Sequence, residues 1–147
     1  SIQSNKTKLI AKNFDWVHTI TRIKVAQKLN EYRTSKMPLL NICIQVKLDQ
    51  SDVRDNLSID QIPQLMKELD VCSNLKVRGL MGITHPDASM QHRVQCFKRL
   101  KEAFDAINQS GYSMDTISLG MSDDYELAIQ NHSNMIRIGT ALFGMRK

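Results

Sequence analysis

Short apolar runs and longer amphipathic runs alternate along this chain from end to end, and that alternation limits its fold more than any other feature. Residues 15–20, 39–48, 75–83, 116–119 and 135–138 read as strands. The opening stretch 3–12 reads as a helix around Leu9, Ile10 and Ala11, and Thr21 can cap a helix with Ile23, Ala26 and Leu29 on one face. Ser58 and Gln61 have capping-box spacing, and Pro63 is tolerated only in a first turn, so a helix carrying Leu65, Met66 and Leu69 starts near residues 59–62. Residues 88–109 repeat Val94, Phe97, Leu100, Phe104 and Ile107 at helical spacing, with Gly111 as the stop, and residues 124–130 form a further helix. Such alternation makes an α/β fold of parallel β/α units with helices covering the sheet. Five strands fall short of a closed barrel, which takes eight strands and about 250 residues. Residues 1–147 are therefore a single domain of one of two kinds, a small open α/β sheet or the C-terminal five strands of an incomplete TIM-type barrel.

The end of the chain favours the barrel. Ser118-Leu119-Gly120-Met121-Ser122-Asp123-Asp124 and Arg137-Ile138-Gly139-Thr140-Ala141-Leu142-Phe143-Gly144 each follow a strand and run into a helical segment. Free backbone N–H groups at a helix start attract anions, and the loops after the last two strands of a barrel often share one phosphate. Ser122 and the Gly139-Thr140 turn are the candidate phosphate holders. A simple N-cap with acidic first-turn residues is the competing reading of Ser122-Asp123-Asp124. Asp123 and Asp124 do not make a catalytic pair, because neighbours in a helix do not face one another. His18 and His132 read as structural or exposed, and His85 beside Pro86 as part of a turn.

Composition excludes several classes. The net charge is +5, but the basic residues are scattered and no basic stripe with interleaved aromatics suggests nucleic acid. The longest apolar run, near Leu39–Val46, is far too short for a membrane span. Cys43, Cys72 and Cys96 are too widely spaced for a zinc or redox motif and read as buried thiols in a reducing cytoplasm. Ser1-Ile2-Gln3 reads as the middle of a longer sequence.

On these residues the chain resembles the pyridoxal 5′-phosphate homeostasis proteins, whose barrel is similar to the N-terminal domain of alanine racemase. The matching blocks are Gln3-Ser4-Asn5-Lys6, Phe14-Asp15-Trp16-Val17-His18-Thr19-Ile20, Arg78-Gly79-Leu80-Met81 and the two terminal turns quoted above. The resemblance implies pyridoxal phosphate as cofactor. It places Met121 and Ser122 on the cofactor phosphate, Gly139 and Thr140 at a second phosphate turn, Arg137 beside the pyridine nitrogen and Met81 near the ring. It implies that a segment bearing the Schiff-base lysine belongs upstream of Gln3, and that the strand at 15–20 leaves an edge which longer relatives cover. The family's Lys-Ser-Gly or Lys-His-Gly loop corresponds to Arg54-Asp55-Asn56, where arginine cannot take a lysine's covalent role.

Three functions follow as expectations. The first is a non-catalytic pyridoxal phosphate carrier or buffer in the cytoplasm, with cofactor-requiring apoenzymes as possible recipients. The second is an enzyme of the amino-acid racemase type, and the third a phosphate-binding domain unrelated to vitamin B6. Along Asn41, Cys43, Gln45 and Lys47 the strand alternates with Ile42, Ile44, Val46 and Leu48, which puts the first set inward and Lys47 at the barrel mouth. A desolvated Lys47 beside Arg137 could join the cofactor aldehyde covalently. The main expectation is weak, non-covalent binding through the phosphate turns.

Overall fold

The computed structural model describes residues 2–48 and 57–144. A 3-10 turn at Ser4–Lys6 leads into α1 (Thr7–Asn13), followed by β1 (Trp16–Ile20), α2 (Ile23–Tyr32) and β2 (Leu40–Val46). Then come α3 (Ile62–Leu69), β3 (Leu75–Gly82), α4 (Met90–Gln109), β4 (Thr116–Ser118), α5 (Tyr125–Gln130) and α6 (Thr140–Phe143). The sheet order is β1-β2-β3-β4, and every pair is parallel.

Among the described residues four strands form the ladder rather than five. Residues 135–138 contribute one parallel bridge, Ser118 to Met135, and a bond from the Arg137 N–H to the Gly120 carbonyl at 2.9 Å. The reason lies on the outer edge of β4. The Ile117 N–H donates to the Asn134 Oδ1 at 2.8 Å, and the Leu119 N–H to the Ser133 Oγ at 3.2 Å. Side chains take the donors that a fifth strand's carbonyls would have taken, so the last segment is fastened to the sheet without becoming part of it.

Alternation along the strands separates two faces. Ile42, Ile44, Val46, Leu80 and Ile117 point to the helices and pack with Leu65, Met66 and Leu69 of α3 and with Phe97, Leu100 and Phe104 of α4. These apolar groups hold the layers together through burial. The opposite face carries Cys43, Gln45, Met81 and Ser118, where Gln45 pairs in register with Met81, and Met81 with Ser118. His18 of β1 reaches across this face to Ser118 of β4, with its Nδ1 3.2 Å from the Ser118 Oγ. In a flat sheet two strands this far apart would be separated by about 14 Å, more than the two side chains can span. The sheet is therefore curled, with this face on the inside, as in a barrel section.

At the N-terminal end of the curl, Arg78 of β3 touches the other three strands or their entries. Its guanidinium lies 4.6 Å from the Trp16 ring centroid, donates to the Asn41 Oδ1 at 2.9 Å, and forks onto Asp115 with a shortest contact of 2.7 Å. Gly79 follows because nothing larger fits: a Cβ there would stand 1.6 Å from the Thr116 carbonyl oxygen. The capping box read in the sequence starts the 3-10 turn Ile59–Gln61 that leads into α3, with the Ser58 N–H donating to the Gln61 Oε1 at 3.0 Å.

Among the described residues Arg33 is the wholly buried cation. It is 1% exposed and donates to the carbonyls of Pro38 at 2.7 Å, Ala11 at 2.8 Å and Phe14 at 2.9 Å. It thereby satisfies the C-terminal end of α1 and ties it to the loop before β2. Its carboxylate partner Asp15, at 3.2 Å, is largely in solvent.

Three measurements test these contacts. Arg33→Met leaves three carbonyls without their donor and should cost about 2–4 kcal/mol in urea unfolding. Asp15→Asn should cost less than about 1 kcal/mol, because the exposed partner contributes little. The hydrogen bonds from Arg78 hold the Asp115 carboxyl below its usual pKa of 3.8. Ionised Asp115 therefore stabilises the fold above that value and the contribution fades as pH falls through the lower, folded-state pKa. Melting temperature measured against pH should show a shallower decline below pH 3.8 for Asp115→Asn than for the parent chain.

Candidate functional site

The inner face ends in a cluster built around Arg137. The backbone leaves β4 through Gly120, whose φ of +94° suits glycine alone. A side chain there would also meet Ala128 and Tyr125 at 2.9 Å. The Gly120 carbonyl accepts from the Arg137 N–H, and this places the guanidinium over the strand ends. Its Nη1 donates to the Ser118 carbonyl at 2.9 Å and to the Ser118 Oγ at 2.5 Å, and its Nη2 donates to the Gly82 carbonyl at 2.8 Å. One cation thus joins the ends of β3 and β4 to the final segment.

Ser118 links Arg137 to His18. Its oxygen accepts from Arg137, so its own proton is free to go to the His18 Nδ1. Burial, and secondarily the Arg137 charge, pull the His18 pKa below 6.5, which favours this neutral acceptor. Burial likewise lowers the Arg137 pKa, and Asp124 opposes that shift. Cys43, deeper on the same face, is pushed up to about 12 by burial against the pull of Arg78 and Arg137. It is a neutral wall, unsuited to nucleophilic work. Sequence reading gave His18 a structural or exposed place, and the structure puts it in the Arg137 cluster. The usable signal was parity: Trp16 and His18 occupy alternate positions of β1 and so share its inner face.

The two terminal turns come together. The Ala141 N–H, in the first turn of α6, donates to the Ser122 Oγ at 3.2 Å. Ser122 therefore meets the start of α6 instead of capping α5, where its simpler sequence reading put it. Gly139 and Thr140 are exposed at the same turn, and a Cβ on Gly139 would meet nothing within 4 Å. Space therefore lies open in front of that backbone. The Met121 N–H is engaged differently, donating to the Asp124 Oδ1 at 2.8 Å. The other oxygen of Asp124 accepts from the Thr84 hydroxyl at 2.9 Å and pairs with Arg93 at 3.4 Å. Asp124 is a clamp on the turn, and Asp123 is exposed beside it. A pocket of about 480 Å³ on one side of Ser122 is lined by Ser122 itself with Asp123, Asp124, Glu126 and Arg93. Three carboxylates against one cation make that side unfavourable for an anion.

Met81 is 1% exposed and lies on the inner face between Gln45 and Ser118. Lys47 falls one position past β2, where its N–H donates to the Leu57 carbonyl at 2.7 Å. The contacts of Arg137 are Ser118 and Gly82, with no hydrogen bond to Lys47 among the described residues. The Arg54-Asp55-Asn56 loop lies outside the described residues. His85 sits in an exposed turn 3.7 Å from Asp87.

The model of the alanine racemase N-terminal domain matches residues 2–147. The chain belongs to this family. Among alanine racemase N-terminal domains it is similar to the pyridoxal phosphate homeostasis protein of Pseudomonas aeruginosa, with 42% identity over 99% of this chain and 62% of that protein. The corresponding Escherichia coli protein is 37% identical over the same shares. The chain thus spans about three fifths of the curated relatives it matches. Among solved structures, PipY of Synechococcus elongatus with pyridoxal phosphate bound is 25% identical with a TM-score of 0.89, covering 98% of this chain and 68% of that one. An alanine racemase of Clostridium difficile shares the fold, with a TM-score of 0.79 at 14% identity over 99% of this chain and 38% of that one. The parallel barrel section expected from the sequence is therefore present, with four laddered strands.

His18 offers a direct check on the cluster. Its ring protons, followed by NMR, should titrate with a midpoint below 6.5. Arg137→Met should move that midpoint upward but not fully back, since burial is the larger cause. Because the folded-state pKa is lowered, protonation is linked to unfolding, and stability should decline as pH falls below 6.5.

Proposed function

We propose that this chain holds pyridoxal 5′-phosphate non-covalently and forms part of a protein that buffers or delivers the cofactor. The observation that carries the reading is the meeting of the Ser122 hydroxyl with the first turn of α6 beside the open space at Gly139. That junction suits a phosphate, and Arg137 stands at the strand ends within the same face. PipY, which shares the fold, has been seen with pyridoxal phosphate bound.

The residues divide the work by their chemistry. Ser122 and Thr140 offer hydroxyls, and the α6 backbone offers N–H groups, to phosphate oxygens. The Ala141 N–H, now on Ser122, is available by exchange. Arg137 would face the pyridine nitrogen as a permanent donor. Met81 would lie under the ring. When bound, pyridoxal phosphate supplies an electron sink. A donor at its nitrogen keeps that nitrogen unprotonated and the sink weak, which suits storage better than turnover. No helix among the described residues is long and apolar enough to cross a membrane, and we place the protein in the cytoplasm with cofactor-requiring apoenzymes as recipients.

Titration of the chain with pyridoxal phosphate, followed by ligand absorbance, should show saturable binding that inorganic phosphate competes away. Ser122→Asp puts a negative charge against the phosphate and should weaken binding by about tenfold or more. Borohydride treatment with peptide mapping should leave Lys47 unmodified. A stoichiometric adduct on Lys47 would overturn the non-covalent reading, and unaltered affinity in Ser122→Asp would remove the phosphate site.

A further inference from the structure

Gln45 is a buried polar residue for which the fold gives no use. It is 5% exposed, on the inner face of β2, between the apolar side chains of Cys43 on its own strand and Met81 on the next. Among the described residues no hydrogen bond reaches its carboxamide. Every wholly enclosed side-chain nitrogen or oxygen among those residues does have a partner. The amide tip of Gln45 must therefore touch open space, with its stem packed away from water. An amide held among apolar neighbours with no protein partner gains nothing in packing over an apolar residue of similar size. Leucine or methionine would serve packing better, as Met81 does next door.

The register says what that open space faces. Gln45, Met81 and Ser118 lie side by side on β2, β3 and β4. Strand spacing separates the first from the last by about 9.5 Å. Met81 and Ser118 are enclosed, at 1% and 0% exposure, so of the three Gln45 alone keeps an edge on that space. The phosphate turns, Ser122 and Gly139-Thr140, lie beyond β4, on the side away from β2. In pyridoxal phosphate the phosphate arm at position 5 and the hydroxyl at position 3 sit on opposite sides of the line through the ring nitrogen and C4. A ring with its nitrogen toward Arg137 and its phosphate arm toward those turns has its hydroxyl edge toward β3 and β2.

We propose that Gln45 reads that edge, its carboxamide hydrogen-bonding the 3-oxygen of the ring, so that it is a specificity-determining residue for the ligand. This rests on the pyridoxal phosphate reading above. An amide suits the task because it donates to a phenolate and accepts from a phenol, so recognition holds in either protonation state. His18, a further polar group of the inner face, is already engaged by Ser118.

The test is a double comparison on the full chain. Parent and Gln45→Leu are each titrated with pyridoxal phosphate and with its 3-deoxy analogue, and Gln45→Glu is added as a variant that keeps the length and an acceptor. The parent should prefer pyridoxal phosphate over the analogue by about tenfold, the worth of one hydrogen bond in a dry site. Gln45→Leu should bind both alike, with unchanged or improved melting temperature. Gln45→Glu should favour the protonated phenol, so its preference for pyridoxal phosphate should grow as pH falls. Equal discrimination in parent and Gln45→Leu overturns the role of Gln45 and leaves the cofactor reading standing. Failure of the parent to bind either ligand overturns the cofactor reading and this assignment with it.

Discussion

The structure turns on a single arginine at the closed end of the curl. Arg78 lies against Trp16 of β1, bonds Asn41 of β2 and clamps Asp115 just ahead of β4, while its own backbone belongs to β3. A parallel sheet fixes the order of its strands by hydrogen bonding, but curvature has to come from side chains on the concave face. Here a flat guanidinium that stacks and forks at once draws four strand entries together. The His18 to Ser118 contact at the other level of the same face exists only because the sheet is bent this way.

Arg137 repeats the device at the open end. It joins the carbonyl ends of β3 and β4 to a segment that does not enter the ladder. Ser133 and Asn134 occupy the outer edge of β4 with side-chain bonds, which keeps residues 135–138 out of the ladder. The loss of a fifth strand and the position of the candidate site are thus one event. Polar side chains replace a backbone ladder where the chain turns toward the candidate site.

The inner face then divides by depth. Trp16, Arg78 and Asp115 close the bottom, Cys43 and His18 form a neutral middle, and Gln45, Met81, Ser118 and Arg137 line the top. Charge is present at both ends and scarce between them, so a flat, weakly polar ring with an anionic arm is the ligand shape that the proposed function fits to this face.

Most of the architecture was legible from period and punctuation. The Ser58–Gln61 capping box, Pro63, and the apolar repeats of α3 and α4 are local signals, and alternation in β2 sorted Cys43 and Gln45 from Ile42 and Ile44 before any coordinates. The convergence of Ser122 with the Gly139-Thr140 turn was legible because β4 and the segment at 135–138 run parallel and so end on the same side. Arg33 beneath α1, Arg78 as the hub of the curl, His18 in the Arg137 cluster and the unladdered final segment were not. Each depends on which residue a side chain meets from a distant part of the chain, and a one-dimensional pattern carries no record of that. Sequence by itself determined the elements, their parallel order and the faces of each strand, because these follow from local periodicity. Tertiary structure alone decided the curvature, the polar clasps and the orphaned amide of Gln45, because those arise only when strands far apart in the chain are bent around one another.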